Sequence, residues 1–306
     1  MATRTLDSPP NILPLYARAA APIIPGASLL PFVPGRAQQM PDLELVLPGL
    51  RAEPDRVADY AKVCGFSLRD HLPPTYPHVL AFPLHMAVMA DGGFPFGAVG
   101  LVHVENTIVQ HRRIGLDEEL KLTVRPTKLE QHPRGRTFGL VTEAWTGRQK
   151  AWESVSTMLR RGGGGGGDSA PADRDEESRE ELTVSGEWRL GGDLGRRYAA
   201  VSGDRNPIHL HSLTARPLGF PGAIAHGMWT KARCLAAIEN RLPDAFSVGV
   251  RFRKPILLPG RVEFLSSGQD GEIAFAVRDA KRKTPHLDGS TKPVEAKPRS
   301  GRKQRK

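Results

Sequence analysis

Six consecutive glycines, Gly162 to Gly167, interrupt the middle of the chain, and an acidic run bearing Ser, Ala and Pro follows them to Glu181. No helix or strand of ordinary stability passes through such a stretch. Each glycine gives up more backbone entropy on ordering than any other residue and has no side chain to bury. Residues 162–181 are therefore expected to be a flexible linker, and the chain must fold on either side of it. A phosphate-cradling glycine loop is a poor alternative, because no Lys-Ser/Thr pair and no helix start follows.

The two sides carry the same order of elements. Before the linker, Pro54 opens a short helix with Val57, Tyr60, Ala61 and Cys64 on one face and Gly65 at its exit. Thr75 to Met89 is apolar nearly all round, which predicts a buried helix bent at Pro83. Strand-like runs follow at Leu101 to Val109, Glu119 to Val124, Phe138 to Trp145 and Ala151 to Leu159. After the linker, Asp193 can cap a short helix that Gly203 ends. A longer helix is expected from about Ala223 to Arg241, with Met228, Ala232, Leu235, Ile238 and Leu242 at three-to-four spacing. Strands are expected at Phe246 to Lys254, Arg261 to Ser267 and Glu272 to Asp279. Tyr60-Ala61-Lys62-Val63-Cys64-Gly65 lines up with Tyr198-Ala199-Ala200-Val201-Ser202-Gly203. Val102-His103-Val104 followed by Ile114-Gly115 lines up with Val248-Gly249-Val250 followed by Pro259-Gly260. The chain thus reads as a duplicated α+β unit: a short helix, a long buried helix and an antiparallel sheet. The expected divisions are 1–44, 45–161, the linker 162–181, 182–291 and 292–306.

With 39% hydrophobic and 25% charged residues, the chain has the makeup of an ordinary globular protein. Its two cysteines, Cys64 and Cys234, have no partner spacing, which argues against a disulfide framework or a cysteine zinc site and fits the cytoplasm. The net charge of +10 is concentrated at the end: Lys292 to Lys306 holds seven basic residues and one acidic, hence +6. This is expected to be a solvated, disordered tail. It has no interleaved aromatic residues, so specific nucleic-acid binding is not expected. Ile12 to Val33 is apolar but broken by Pro14, Pro22, Pro25 and Pro31, with Arg18 inside it. No membrane insertion is expected, and residues 1–44 read as an extended arm packed on the body.

The chemistry concentrates in Tyr198-Ala199-Ala200-Val201-Ser202-Gly203-Asp204-Arg205-Asn206-Pro207-Ile208-His209. Pro207 fixes its own φ and pushes Asn206 out of the helical region, so Asp204 to His209 should be a sharply bent loop that brings carboxylate and imidazole together. Two such groups, with different resting pKa values, can orient a water and move its proton. Asp, Asn, Gly and Pro are also what a plain surface turn is made of. His209, His211 and His226 beside Asp204 raise a zinc site as an alternative.

Tyr-x-x-x-Ser-Gly-Asp-x-Asn-Pro-x-His closely resembles the signature of the MaoC-like, R-specific enoyl-CoA hydratases (hydratase 2). Gly222-Ala223-Ile224-Ala225-His226-Gly227-Met228 resembles that family's motif at the start of its central helix. The likeness covers roughly residues 45 to 290 and implies a double hotdog, each sheet wrapped around a long helix. It implies reversible hydration of a trans-2-enoyl thioester, on coenzyme A or acyl carrier protein, to the (3R)-3-hydroxyacyl thioester. Asp204 and His209 would be the dyad, with their acid and base roles open, and the Gly227 N–H would meet the developing enolate oxygen. Tyr198, Asn206, His226, Arg253 and Lys254 are the expected substrate-side residues, Asn206 chiefly bracing the loop and the two cations meeting phosphates. No cofactor and no metal is implied, and pairing into a homodimer is compatible with the family. One departure is Leu235, where the family often has a hydroxyl. Under the repeat alignment Asp204 corresponds to Phe66, Asn206 to Leu68, Pro207 to Arg69 and His209 to His71. The first copy therefore lacks the carboxylate, and one active site per chain is expected. In fused hydratases of this type the first copy is thought to make room for the acyl chain. Val79, Leu80, Phe82, Leu84, Met86 and Val88 could line that space or simply fill the core. A silent hotdog protein that binds acyl thioesters or a partner subunit is the rival reading, and a hotdog thioesterase is a third.

Overall fold

Two glycines in the left-handed region end the two short helices that the repeat predicts. Helix α2 (Pro54–Cys64) closes on Gly65 at φ 85°, and α4 (Leu194–Ser202) closes on Gly203 at φ 76°. Only glycine adopts that conformation without a Cβ penalty, so the repeated glycine marks the same stop signal in both copies. The two helices pack on each other near the centre, where the rings of Tyr60 and Tyr198 lie 6.1 Å apart. The structure is a computed structural model that describes residues 2–21, 33–35, 37–98, 100–162 and 182–296.

The first copy contributes β2 (Leu43–Arg51), β3 (Leu101–Gln110), β4 (Glu119–Pro126), β6 (Gly135–Thr146) and β7 (Gln149–Arg161), with the short β5 (Glu130–His132) paired to β6. The second contributes β8 (Thr183–Leu190), β9 (Phe246–Phe252), β10 (Gly260–Gln269), β11 (Glu272–Asp279) and β12 (Pro285–Pro293). The spatial order is β2-β4-β6-β7-β3 in one and β8-β10-β11-β12-β9 in the other. Both copies thus place their first strand at one edge and their second at the other. Strands β3 and β9 join antiparallel, Glu105 opposite Arg251 and Gln110 opposite Phe246, so the two expected sheets are halves of one continuous sheet. Alternation along β4 sends Leu120, Leu122 and Val124 inward, each 1% exposed or less. Burying each such side chain is worth about 1.5–3 kcal/mol.

Against the inner face lie α3 (Tyr76–Met89) in the first copy and α7 (Gly227–Ala237) in the second. Leu84 and Val88 of α3 are fully buried and Met86 nearly so, which makes them core. Val79, Leu80 and Phe82 are only partly covered. A buried lysine ties α7 to the joint between the halves: Lys231 Nζ donates to the Asn106 backbone oxygen (3.0 Å), to Asn106 Oδ1 (2.6 Å) and to the Val248 oxygen (3.2 Å).

Several expectations need correction. The N-terminal segment is not simply extended: β1 (Ala2–Thr5) runs parallel to β2, and α1 (Ile12–Ala20) packs on α3. Pro14 does not break α1 because it falls in the first turn, where no intrahelical N–H bond is made, and Asn11 Oδ1 caps the end by accepting from Leu13 N at 3.1 Å. Strand β2 escaped notice because Pro48-Gly49 breaks its alternation, and the register shifts between Leu47 and Leu50. Strand β12 reads as loop because of Gly289, but a Cβ there would lie 2.7 Å from the Phe275 ring and 2.8 Å from the Gly249 oxygen, so the sheet demands glycine. The second long helix ends at Ala237 and a 3₁₀ turn, Glu239–Arg241, completes the stretch. Lys292 and Pro293 belong to β12, so the basic tail begins later than residue 292. Residues 163–181 and 297–306, where the linker and most of the tail were expected, lie outside the described residues.

Candidate active site

Asp204 to His209 is tighter than a bent loop. Pro207 takes the first position of a one-turn helix, α5 (Pro207–Leu210), whose cap is Asn206; its Oδ1 accepts from Ile208 N at 3.4 Å. A proline at that position arrives with helical φ and needs no hydrogen-bond acceptor. The carboxylate of Asp204 also accepts from the backbone, Asn206 N to Oδ1 at 3.1 Å. Asn206 therefore braces the turn. The short helix α6 (Ser212–Ala215) follows, and Ser212 Oγ accepts from Ala223 N at 3.3 Å.

This places the nearest ligating atoms of Asp204, His209 and His226 within 4.8 Å of one another, with both histidines buried. His209 Nδ1 lies 2.8 Å from the Ile224 carbonyl. A carbonyl only accepts, so Nδ1 carries the hydrogen and the lone pair of neutral His209 sits on Nε2. His226 Nε2 donates in the same way to the Asp204 carbonyl at 3.0 Å, and its Nδ1 is buried without a hydrogen-bond partner. The two imidazoles stack at 3.7 Å with planes 26° apart. Near-parallel rings direct their lone pairs along near-parallel planes rather than at one point, which suits a tetrahedral ion poorly.

Burial lowers the pKa of His209, opposed by Asp204 and the Ile224 carbonyl, and it remains below the ordinary histidine value. Burial and then His209 push His226 down to about 3. For Asp204, burial alone would raise the pKa. His226, His209, the Asn206 N–H and a hydroxyl from Tyr16 outweigh it and hold the carboxyl below its usual range. At neutral pH the site holds a carboxylate beside an imidazole whose Nε2 is free to accept a proton.

Gly227 is the first residue of α7, where a backbone N–H lies outside the helix's own hydrogen-bond ladder and the helix dipole is positive. A Cβ at Gly227 would sit 3.0–3.2 Å from the ring of Phe252, so it is this ring that makes the close approach on that side. Tyr198 is 2% exposed and stands behind His226, with ring centroids 4.8 Å apart. It supports the imidazole from within the core. Arg253 and Lys254 follow Phe252 directly; Arg253 pairs with Asp288, and Lys254 is exposed. Leu235, where a hydroxyl was missing, is fully buried in the core.

Three contributors escaped the sequence reading. Tyr16 of α1 donates to Asp204 Oδ1 at 3.1 Å, across 188 residues of chain. Gly195 of α4 lies so close to the His209 carbonyl that a Cβ would be 1.8 Å from its oxygen. Phe252 covers Gly227. Only Gly195 left a signal, a glycine inside a helical pattern, and that signal does not name its neighbour.

The duplicated helix-on-sheet architecture is that of the double hotdog proteins. One Mycobacterium tuberculosis protein with a solved double hotdog fold matches with TM-score 0.54 at 12% identity, over 84% of this chain and 96% of its own. A family model described as the MaoC like domain matches residues 169–288. The 3-hydroxyacyl-thioester dehydratase X of Mycobacterium tuberculosis is 38% identical over 266 residues, 87% of this chain and 94% of that protein. The crystal structure of HtdX from the same organism matches with TM-score 0.72 at 36% identity, over 82% of this chain and 100% of that one. The chain belongs to the MaoC-like dehydratase family.

Proposed function

We propose that this protein interconverts a trans-2-enoyl thioester and its (3R)-3-hydroxyacyl thioester, at a single site per chain formed by Asp204, His209 and the N-terminus of α7. The observation that carries the reading is the tautomer of His209: its Nδ1–H is tied to Ile224, which leaves the lone pair on Nε2, and a ring nitrogen of this imidazole lies within 4.8 Å of an Asp204 carboxylate oxygen. A water can bridge that span. The related dehydratase X of Mycobacterium tuberculosis, by its name, acts on 3-hydroxyacyl thioesters.

In hydration, Asp204 orients the water and His209 Nε2 takes one of its protons as the oxygen attacks the β-carbon. The imidazolium, balanced by the carboxylate, returns that proton to the α-carbon on the same face. The thioester oxygen gains negative charge in between, and the Gly227 N–H at the positive end of α7 is the donor for it. Dehydration is the same path reversed, with His209 removing the α-proton and passing it to the departing hydroxyl. Lys254, exposed just past Phe252, is placed for the phosphates of coenzyme A or carrier-borne pantetheine better than Arg253, which Asp288 engages.

No helix among the described residues is long and apolar enough to cross a membrane. Cys64 and Cys234 are buried and free, which fits a reducing cytoplasm. Both hotdog copies lie in one chain, so a homodimer is not needed to complete the site.

The test is loss of enoyl absorbance with a chain-length series of trans-2-enoyl-CoA and enoyl-carrier-protein thioesters, with chiral analysis of the product. Asp204→Asn and His209→Ala are each expected to lower kcat by about 10²–10⁴-fold. Wild-type rates in both variants would overturn the reading. Tight acyl-thioester binding with no turnover on any substrate would favour the silent binding protein.

A further inference from the structure

The catalytic turn of the second copy is touched by a helix from the far end of the chain. Ile12 of α1 rests on Gly203, its Cδ1 3.0 Å from where a Cβ would stand, and Phe82 of α3 is 3.7 Å from the same point. One helical turn along, the Tyr16 hydroxyl accepts from Arg205 N at 2.7 Å and donates to Asp204 Oδ1 at 3.1 Å. The back of α1 is held to the body through Ala19, which is 2% exposed and whose carbonyl takes the Ala98 N–H at 3.1 Å. Tyr16 is therefore a fixed part of the second copy's site, supplied by the N-terminal segment that precedes the first copy.

The hydroxyl has one hydrogen to give and the geometry decides where it goes. Arg205 N can only donate, so the Tyr16 hydrogen points to Asp204. Oδ1 then receives two hydrogens, from Tyr16 and from Asn206 N. Oδ2 receives none of these and faces His226 Nε2 at 3.8 Å. A carboxylate with one oxygen tied twice cannot rotate to exchange its oxygens without breaking both bonds. Burial, and next the charge of Asp204, raise the Tyr16 pKa, so the phenol keeps its proton and stays a donor.

We propose that Tyr16 is a positioning residue for the reaction: it locks Asp204 so that Oδ2, and not Oδ1, meets the reacting water. The proposal rests on the reading of Asp204 above. It also gives α1 a role in the site, since docking of this helix is what completes the carboxylate's hydrogen bonds.

The experiment is a double-mutant cycle on the full chain, with Tyr16→Phe, Asp204→Ala and the double variant, reading kcat, KM and urea denaturation. Tyr16→Phe removes one oxygen and keeps the ring packing. The expected result is a fall in kcat of about ten- to a hundredfold, as for the loss of a hydrogen bond to a charged group, with KM within about twofold and a denaturation midpoint lowered but a cooperative transition retained. In the Asp204→Ala background the same substitution should cost nothing further, because Tyr16 acts through that carboxylate. Wild-type kcat in Tyr16→Phe, or a loss that persists undiminished beside Asp204→Ala, would overturn the proposal. Wild-type turnover by Asp204→Ala itself would instead sink the underlying reading of the site.

Discussion

Gly195→Ala tests how the site is held rather than what it does. A Cβ at this position of α4 would lie 1.8 Å from the His209 oxygen and 2.9 Å from its carbonyl carbon. Both neighbours are backbone, so no side chain can swing away. To restore even 3.0 Å, α4 and the α5 turn must part by about 1.2 Å. That movement is applied to the residue carrying the proton-accepting Nε2, and a displacement of about 1 Å from productive geometry costs on the order of 10²-fold. Stability is hit less hard. Alanine gains up to about 1 kcal/mol of helix propensity over glycine, against about 1–3 kcal/mol for overpacking. The expected variant folds, loses no more than about 2 kcal/mol in urea denaturation, and falls about a hundredfold in kcat/KM. A Gly195→Ala protein with wild-type stability and a rate within about threefold of wild type would refute the argument that this contact sets the position of His209.

Two pH dependences follow from the buried histidines. On the proposed mechanism His209 must be neutral to accept a proton, and burial lowers its pKa below 6.5, so kcat/KM should be flat through neutral pH and fall only on the acid side of that value. An acid limb centred at or above pH 6.5 would contradict it. His85, His103 and His226 are depressed to about 3, about 4 and about 3, so between those values and 6.5 the unfolded chain binds more protons than the folded one. Stability therefore rises with pH across that window and is lost as pH falls through it. Denaturation at a series of pH values should show this slope, shallower in His103→Gln, and a flat profile between pH 4 and 6.5 would count against it.

What was legible in the sequence had local causes. Gly65 and Gly203 announce their helix ends because a left-handed residue is required one place beyond the last turn, and Pro207 announces a sharp turn because its own ring fixes φ, although that turn winds into the short helix α5 rather than a loop. The duplication was visible because Tyr60 to Gly65 and Tyr198 to Gly203 repeat the same helix and the same glycine stop. Long-range demands were not legible. Tyr16 meets Asp204 across 188 residues, and nothing about a tyrosine in an apolar, proline-dotted stretch indicates that partner. The helix carrying it was also misread, because Pro14 was weighed as a breaker although a first-turn proline breaks nothing. Strands β2 and β12 were missed for the converse reason: their glycines answer to a bulge and to a neighbouring ring, which only the sheet supplies.

The two copies show what became of the turn that lost its carboxylate. Phe66 stands where Asp204 stands in the repeat and is 8% exposed, stacked on Tyr60 at 6.5 Å. His71, the counterpart of His209, is tied to Asp70 at 2.9 Å rather than to a carbonyl across the turn. Ser67 N donates to Glu239 at 3.1 Å, the Ser67 hydroxyl donates to the same carboxylate, and Arg69 Nη2 donates to Asn240 Oδ1 at 2.7 Å. Glu239 and Asn240 lie just past the C-terminal end of α7, whose opposite end carries Gly227. The first copy's turn is a strut for the helix α7, while α1 of the N-terminal segment holds Asp204 of the second copy. Fusing two units into one chain frees each half to diverge. On the function proposed above, the divergence leaves one set of reacting groups and two sets of contacts that fix its geometry.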